Sequence, residues 1–390
     1  MRNEYDDLIV PMMRRRRRLG MLGGKGDTTA PVLTSPFALP FGDTSGHIGV
    51  VTDEGNGTLY YVLTTSSSTP SAAQVKAGQN DGGTAAAASG NQAIASTGTK
   101  TATPTGLTSN TLYYPYWMHE DAIGNQSLVK GLTSFTTLTT GTSDTDYDNL
   151  IAAMSVAPTD FRKGLIARFI GALYAASVWT KIDAMWVMAA HDEQAARLNW
   201  KSPGSFTLTA VNSPTFVADT GFNGNGSTSY LDTGWDRATN GVQYTQDNAH
   251  ASCYQRTFGN NNVPPFADNQ AGPRVAIGGR PASSGGGSTL INTSTLVNGP
   301  ASGTLPIQGL GRRNNATQVS LLRDGVQVTA PTTANSGALG TADLVFGKYG
   351  NTYVSAQVCG GSVGAYFDDT EALAFYNAWN AYMVAIGADT

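Results

Sequence analysis

The dipeptide Asp324-Gly325, set between the apolar runs 319–323 and 326–328, constrains this chain more than any other feature. Asp-Gly supplies the positive φ angles that a two-residue type I′ turn demands, so the two runs must be antiparallel neighbours in a hairpin. The same pattern of short strand-like runs, broken by Gly, Asn, Ser and Thr, recurs along the chain. Residues 46–52, 59–65, 112–119 and 134–138 are strand-like in the first third, and 181–190, 206–211 and 229–233 are strand-like later. The composition agrees: 46 glycines, 16 tyrosines and only 13% charged residues among 390 suit short strands and frequent turns. Cytosolic metabolic enzymes carry roughly twice that charge. A mainly β chain with room for two or three cores is expected.

Several classes are disfavoured at once. The net charge of −4 offers no general basic surface, so no specific nucleic-acid partner is expected. Cys253 and Cys359 are too few for a disulfide scaffold or a zinc site. Both fall on predicted strands of one sandwich, as buried free thiols or as a pair oxidised after release. The acidic residues 1–7 and the short run 8–13, interrupted by Pro11, do not form a secretion signal. Residues 164–190 look apolar enough for a membrane span, but Arg168, Lys181 and Asp183 interrupt them.

The chain divides into four parts. Residues 1–27 form an arm in which Arg14, Arg15, Arg16, Arg17 and Arg18 precede a flexible Gly-containing stretch. That run is a solvated charge cluster, an anchor for an acidic groove on a partner, or a non-specific phosphate binder. In 28–140, the run Gly57-Thr58-Leu59-Tyr60-Tyr61-Val62-Leu63 and the later Gly106-Leu107-Thr108-Ser109-Asn110-Thr111-Leu112-Tyr113-Tyr114 resemble a fibronectin type III-like module. The resemblance makes the second run a corner whose tyrosine bonds back to the chain. The segment Glu120-Asp121-Ala122-Ile123-Gly124-Asn125-Gln126-Ser127 matches the acidic hairpin of bacterial and phage versions.

Residues 141–177 switch to helical spacing. Tyr147, Leu150, Ile151 and Met154 share one face with Thr145 and Asp148 as a capping pair; Phe161, Leu165 and Phe169 make a second face. Two short helices there either cover a sheet or associate across subunits. Residues 178–390 are similar to laminin G-like or concanavalin A-like jelly rolls of phage tail and decoration proteins. The match rests on residues 212–216, 221–234 and 321–325 and on the segment from Gly364, with an amphipathic helix over 371–385. The expected fold class is therefore mainly β: a fibronectin type III/Ig-like β-sandwich followed by short helices and a concanavalin A-like jelly-roll sandwich.

Chemistry-bearing patterns are sparse. Sandwich glycosidases set closely spaced acidic residues on one strand, yet Glu4, Glu54, Glu120, Glu193 and Glu371 leave 194–370 without a glutamate. A depolymerase here would need two distant aspartates. His47, His119, His191 and His250 have no Gly-x-Ser-x-Gly elbow beside them. The triplet His191-Asp192-Glu193 is expected at a strand end, its neighbours pointing to opposite faces. The glycine-rich stretches 221–226 and 284–287 lack the Lys and following helix of a phosphate loop. Asp219, Asn223 and Asn225 offer oxygens to a calcium ion, or build turns by bonding the backbone.

Binding remains. Glycan recognition uses an aromatic plane with amides, carboxylates or guanidinium groups around it. The loop-borne candidates are Trp235, Asp268, Asn269, Arg312, Arg313 and Tyr349, with Asn260, Asn261 and Asn262 as a further polar tip; the alternatives are Trp235 as a plug in the sandwich mouth and Arg312-Arg313 as a solvated edge. The expectation is a non-enzymatic phage structural protein (fibre, spike or decoration), exposed on the virion and homo-oligomeric. It would attach to capsid or tail by its N-terminal part and bind host cell-surface polysaccharide through its jelly roll. The rivals are a purely structural decoration protein and a capsular polysaccharide depolymerase.

Overall fold

The computed structural model describes residues 27–40, 42–137, 142–259, 263–268, 270–278, 287–300 and 305–388, leaving aside the side chains of 142–144 and 160. The chain is mainly β, with the two long helices that follow the N-terminal sandwich and the C-terminal helix packed together against the larger sandwich.

The N-terminal sandwich sets three strands against four. Leu33–Pro40, Gly46–Thr52 and Gly98–Ala102 form one sheet; Ala88–Ala93, Thr58–Thr64, Leu112–Glu120 and Lys130–Gly131 form the other, with Phe135–Thr136 pairing the start of Leu112–Glu120. Ile48, Val50, Leu59, Leu63 and Trp117 meet between the sheets with no exposure. The expected tyrosine corner is present: the Thr108 N–H donates to Tyr113 Oη at 2.9 Å. Thr137 reinforces it, its hydroxyl donating to Thr108 O at 2.6 Å and accepting from Thr111 N at 3.0 Å. Helix α1, Ala72–Lys76, is closed at its start by a reciprocal capping box of Ser71 and Gln74.

Helices α2 (Thr142–Ala153) and α3 (Asp160–Ala175) follow. The first begins before Thr145, so Thr145 and Asp148 are inside it and do not cap it. For α3, Thr159 accepts from Arg162 N at 3.3 Å, placing Pro158 just ahead of the cap. Both helices bury Tyr147, Leu150, Leu165, Phe169 and Leu173 in the same apolar cluster as the following sandwich. Core packing is thus their role in the monomer.

That sandwich has two sheets. In spatial order the first holds Thr209–Val211, Tyr230–Asp232, Leu344–Phe346, Phe266–Asp268, Arg274–Gly278, Ser288–Thr293 and Val297–Asn298. The second holds Thr215–Val217, Gly221–Asn223, Gln357–Gly364, Ala249–Gln255, Ile307–Arg313, Gln318–Arg323 and Val326–Gln327, with Ile182–Val187 also pairing Gln357–Gly364. All pairings within both sheets are antiparallel. The Asp324-Gly325 hairpin is present, with φ of 50° and 75° at its two turn residues, as a type I′ turn requires.

The second sheet is covered on both faces, which explains its loss of alternation. Every residue of Ala249–Gln255 and Gln357–Gly364 is buried. One face meets the other sheet. The other meets α5 (Asp369–Ala385), whose Trp379 stacks on Tyr254 at 5.7 Å and takes Phe169 edge-on at 5.4 Å. Gly360 is needed for this approach, because a Cβ there would collide with the Trp186 carbonyl and the Trp379 ring. Asp368 and Glu371 cap α5 reciprocally, so it starts two residues earlier than its apolar spacing suggests. Among the described residues, no helix is long and apolar enough to cross a membrane.

Candidate functional site

Four of the expected ligand-binding residues are buried, which corrects their reading as loop-borne contacts. Trp235 follows the strand Tyr230–Asp232 but is fully enclosed, edge-on to Tyr244 at 5.6 Å. Asp268 ends the strand Phe266–Asp268 in an ion pair with Arg237 at 2.6 Å, both side chains wholly buried. Arg237 also donates to Asn292 Oδ1 at 2.8 Å and Pro273 O at 3.1 Å. Arg312 and Arg313 end the strand Ile307–Arg313. Arg313 serves the carbonyls of Ile291 and Ala334, each at 2.8 Å. Arg312 serves Phe367 O at 2.8 Å, Gln327 Oε1 at 2.7 Å and the Asp369 carboxylate. These guanidinium groups tie strands to distant loops; Nε of Arg237 and of Arg312 has no partner among the described residues, but both groups are too deeply buried to meet a ligand. Asn269, the tip Asn260, Asn261 and Asn262, and Arg14, Arg15, Arg16, Arg17 and Arg18 lie outside the described residues.

Two of the three expected calcium ligands are occupied elsewhere. Asp219 pairs with Arg162. Asn223 is part of the strand Gly221–Asn223. Asn225 Oδ1 accepts from the N–H groups of Ser227, Thr228 and Ser229 at 2.9, 2.8 and 3.0 Å, so it builds the turn. A grouping that the sequence did not reveal lies in the N-terminal sandwich. Asp27, Glu54 and Asp121 bring one carboxylate oxygen each within 4.8 Å of one another. Desolvation, then the nearby Asp27 and Asp121 carboxylates, push the Glu54 carboxyl above its usual range. Asp121 already organises its own hairpin by accepting from Ile123 N at 2.9 Å and Asn125 N at 2.8 Å.

His191 and Asp192 differ from expectation as well. They sit at a helix start, not a strand end: Asp192 caps α4, Glu193–Arg197, accepting from Gln194 N and Ala195 N. The chain bends there enough for His191 Nε2 to come within 2.8 Å of the Asp192 carboxylate. The alternation argument fails because neither residue is on a strand.

Among the described residues, Tyr349 is the one glycan-binding candidate that remains within reach of solvent. It belongs to a hairpin, Lys348–Tyr349 with Thr352–Tyr353, closed by Gly350-Asn351. Its ring packs over Ala267, Ala276 and Leu290 on the outer face of the first sheet. The Arg274 guanidinium stands 5.5 Å from the ring centroid and donates to Tyr349 Oη at 3.3 Å. Beside it, Lys348 Nζ lies 4.9 Å from the Tyr230 ring and 5.5 Å from the Tyr353 ring, whose centroids are 6.3 Å apart. Tyr230, Arg274, Lys348, Tyr349 and Tyr353 are all half-buried. Cation–π contact holds the two cations against the rings and stiffens the group. Desolvation chiefly, with Asp232 and Tyr353 adding, raises the Tyr230 phenol. Adjacent strand residues face opposite ways, so Tyr349 with Arg274, and Lys348 with Tyr230 and Tyr353, make two neighbouring groups that offer aromatic planes, N–H donors and phenol hydroxyls around one hairpin. Gly-Asn between Lys-Tyr and Thr-Tyr was the sequence signal for this hairpin.

No family model matches the chain, and no curated protein matches it. Solved structures with distant similarity include Trypanosoma rangeli sialidase in complex with difluorosialic acid. It is 11% identical over 71% of this chain, with a TM-score of 0.40, and this chain spans 46% of its length. Domain 4 of the GH43 extracellular arabinanase from Geobacillus stearothermophilus, in complex with arabinotriose, is 9% identical over 50% of this chain and 97% of its own, with a TM-score of 0.33. The binding domain of botulinum neurotoxin serotype D is 8% identical over 52% of each chain, with a TM-score of 0.35.

Proposed function

We propose that this chain is a non-catalytic surface-binding protein of a phage virion, a fibre, spike or decoration, that holds host surface glycan on the hairpin platform of its larger sandwich. One observation carries the reading: three half-buried tyrosines and two cations are gathered around one hairpin. Tyrosine planes accept the apolar faces of pyranose rings, while Lys348 and Arg274 donate to hydroxyls and to the carboxylates of acidic sugars. Each contact is shallow, so useful affinity comes from several copies acting together on a polymeric ligand. The N-terminal part, with Arg14 to Arg18, would attach the protein to capsid or tail and bring those copies together on the particle surface.

The test is binding of the full-length protein to extracted host polysaccharide, with polygalacturonate and dextran as acidic and neutral probes. Lys348→Glu should weaken retention at least tenfold, about 1.4 kcal/mol, without changing the unfolding midpoint. Tyr349→Ala should weaken it as much while also lowering that midpoint, because the Tyr349 ring packs on Ala267, Ala276 and Leu290. Retention that both variants leave intact, or none at high concentration, would refute the platform. A hydrolytic version draws on Asp343, whose carboxyl is raised by desolvation and then by Asp232 and Asp236. Release of reducing ends that Asp343→Asn abolishes would establish that version instead.

A further inference from the structure

Away from the platform, a groove runs between α3 and α5. Its cavity is about 320 Å³, lined by Leu165, Arg168, Phe169, Ala172, Ala374, Asn377, Ala378, Ala381 and Tyr382. At ~30 Å³ per water-sized group, that space takes an apolar body of about ten heavy atoms. Leu165, Phe169 and Tyr382 form the floor, each no more than 4% exposed. The floor presents no free polar atom, because Tyr382 Oη is turned inward, accepting from Arg162 at 3.0 Å and donating to Ala189 O at 3.3 Å. The walls are alanines, so the opening is left by short side chains and not by loose packing.

Charge is distributed unevenly around this groove. From Ala372 to Ala385, α5 carries no charged residue, including those on its solvent side. Other cations near the helices are neutralised: Arg162 by Asp219, Lys181 by Glu371 and Arg312 by Asp369. Arg168 is exposed at the rim and has no ion pair or hydrogen bond among the described residues. It also borders a second cleft of about 240 Å³, shared with Ala172 and reaching Pro40, Asn110 and Thr136 of the N-terminal sandwich.

We propose that the α3–α5 groove binds an amphiphilic monoanion, with its apolar body on Leu165, Phe169 and Tyr382 and its carboxylate or sulfonate on Arg168, flanked by the Asn377 amide. A pocket with an apolar lining and one or two placed polar groups is the ordinary form of a small-molecule site. A second copy of this chain is the poorer occupant, since the groove's own surface supplies a cation and no anion to meet it. The second cleft gives a longer tail a path toward the N-terminal sandwich.

The experiment is titration of the full-length protein with 1-anilinonaphthalene-8-sulfonate, followed by displacement with decanoate and with decanol. Saturable fluorescence is expected, with decanoate displacing the probe at least tenfold more effectively than decanol. Arg168→Gln should remove that preference. Ala381→Trp should abolish binding by filling the cavity, and Ala374→Leu provides a smaller filling should the tryptophan variant not fold. The proposal fails if no saturable binding occurs, if decanoate and decanol compete equally, or if Arg168→Gln changes nothing. It also fails if Ala381→Trp dissociates a dimer while neither the probe nor decanoate binds, which would make the groove a subunit contact.

Discussion

His250 should make this fold acid-labile by an amount that one substitution reveals. The ring is fully buried between strands, with Nδ1 2.5 Å from Ala365 O and Nε2 3.0 Å from Ser362 Oγ. A carbonyl can only accept, so Nδ1 bears the proton and Nε2 accepts from the Ser362 hydroxyl. Phe367 stacks on the ring at 3.9 Å, leaving no water to solvate a second proton. Burial is the main cause that lowers the imidazole to about 3, with the Lys181 cation also lowering it and the Ala365 bond opposing. The unfolded chain takes up a proton near 6.5 and the native one does not, so stability is full above 6.5 and falls as the pH drops toward 3. At about 1.4 kcal/mol per pH unit, the loss by pH 5 is about 2 kcal/mol. With a urea m-value of about 2–3 kcal/mol/M, that moves the unfolding midpoint by roughly 0.7–1 M. His250→Gln keeps a donor and an acceptor but has no such linkage. It should be less stable at pH 7.5 by about 1–3 kcal/mol, and the gap should narrow by about 2 kcal/mol at pH 5. A gap that stays constant between those pH values would refute the reasoning.

Two further outcomes follow from bonds described above. Tyr113→Phe removes the acceptor for the Thr108 N–H and should lower stability by about 1 kcal/mol, read as a drop in the melting temperature. Asp268→Leu leaves Arg237 buried without its counter-charge and should cost about 3–5 kcal/mol in urea unfolding. The double variant with Arg237→Met should recover most of that loss, and additive effects would mean the pair is not coupled.

The elements legible in the sequence were those fixed by local chemistry. Asp324-Gly325 dictated its hairpin, and the spacing from Leu107 to Tyr113 dictated the corner. The helical faces of α2, α3 and α5 were visible for the same reason. Burial of charge was not legible, because its cause is distant in sequence. Arg237 meets Asp268 across 31 positions and Arg312 meets Asp369 across 57, and no local window contains both partners. Arg312 and Asp268 therefore read as loop-borne ligand contacts. Tyr349 was visible as an aromatic on a turn, but its companions Tyr230 and Arg274 reach it only through the order of strands in the sheet.

Leu39 of the N-terminal sandwich lies in the apolar cluster of the helices and the larger sandwich, and Phe37 meets Phe161 of α3 edge-on at 5.6 Å. The two sandwiches are thus keyed together by a greasy joint. A pull along the chain would load that joint in shear. The protein would then transmit tension and torque as one stiff lever, so whatever turns the N-terminal sandwich would also swing the tyrosine platform.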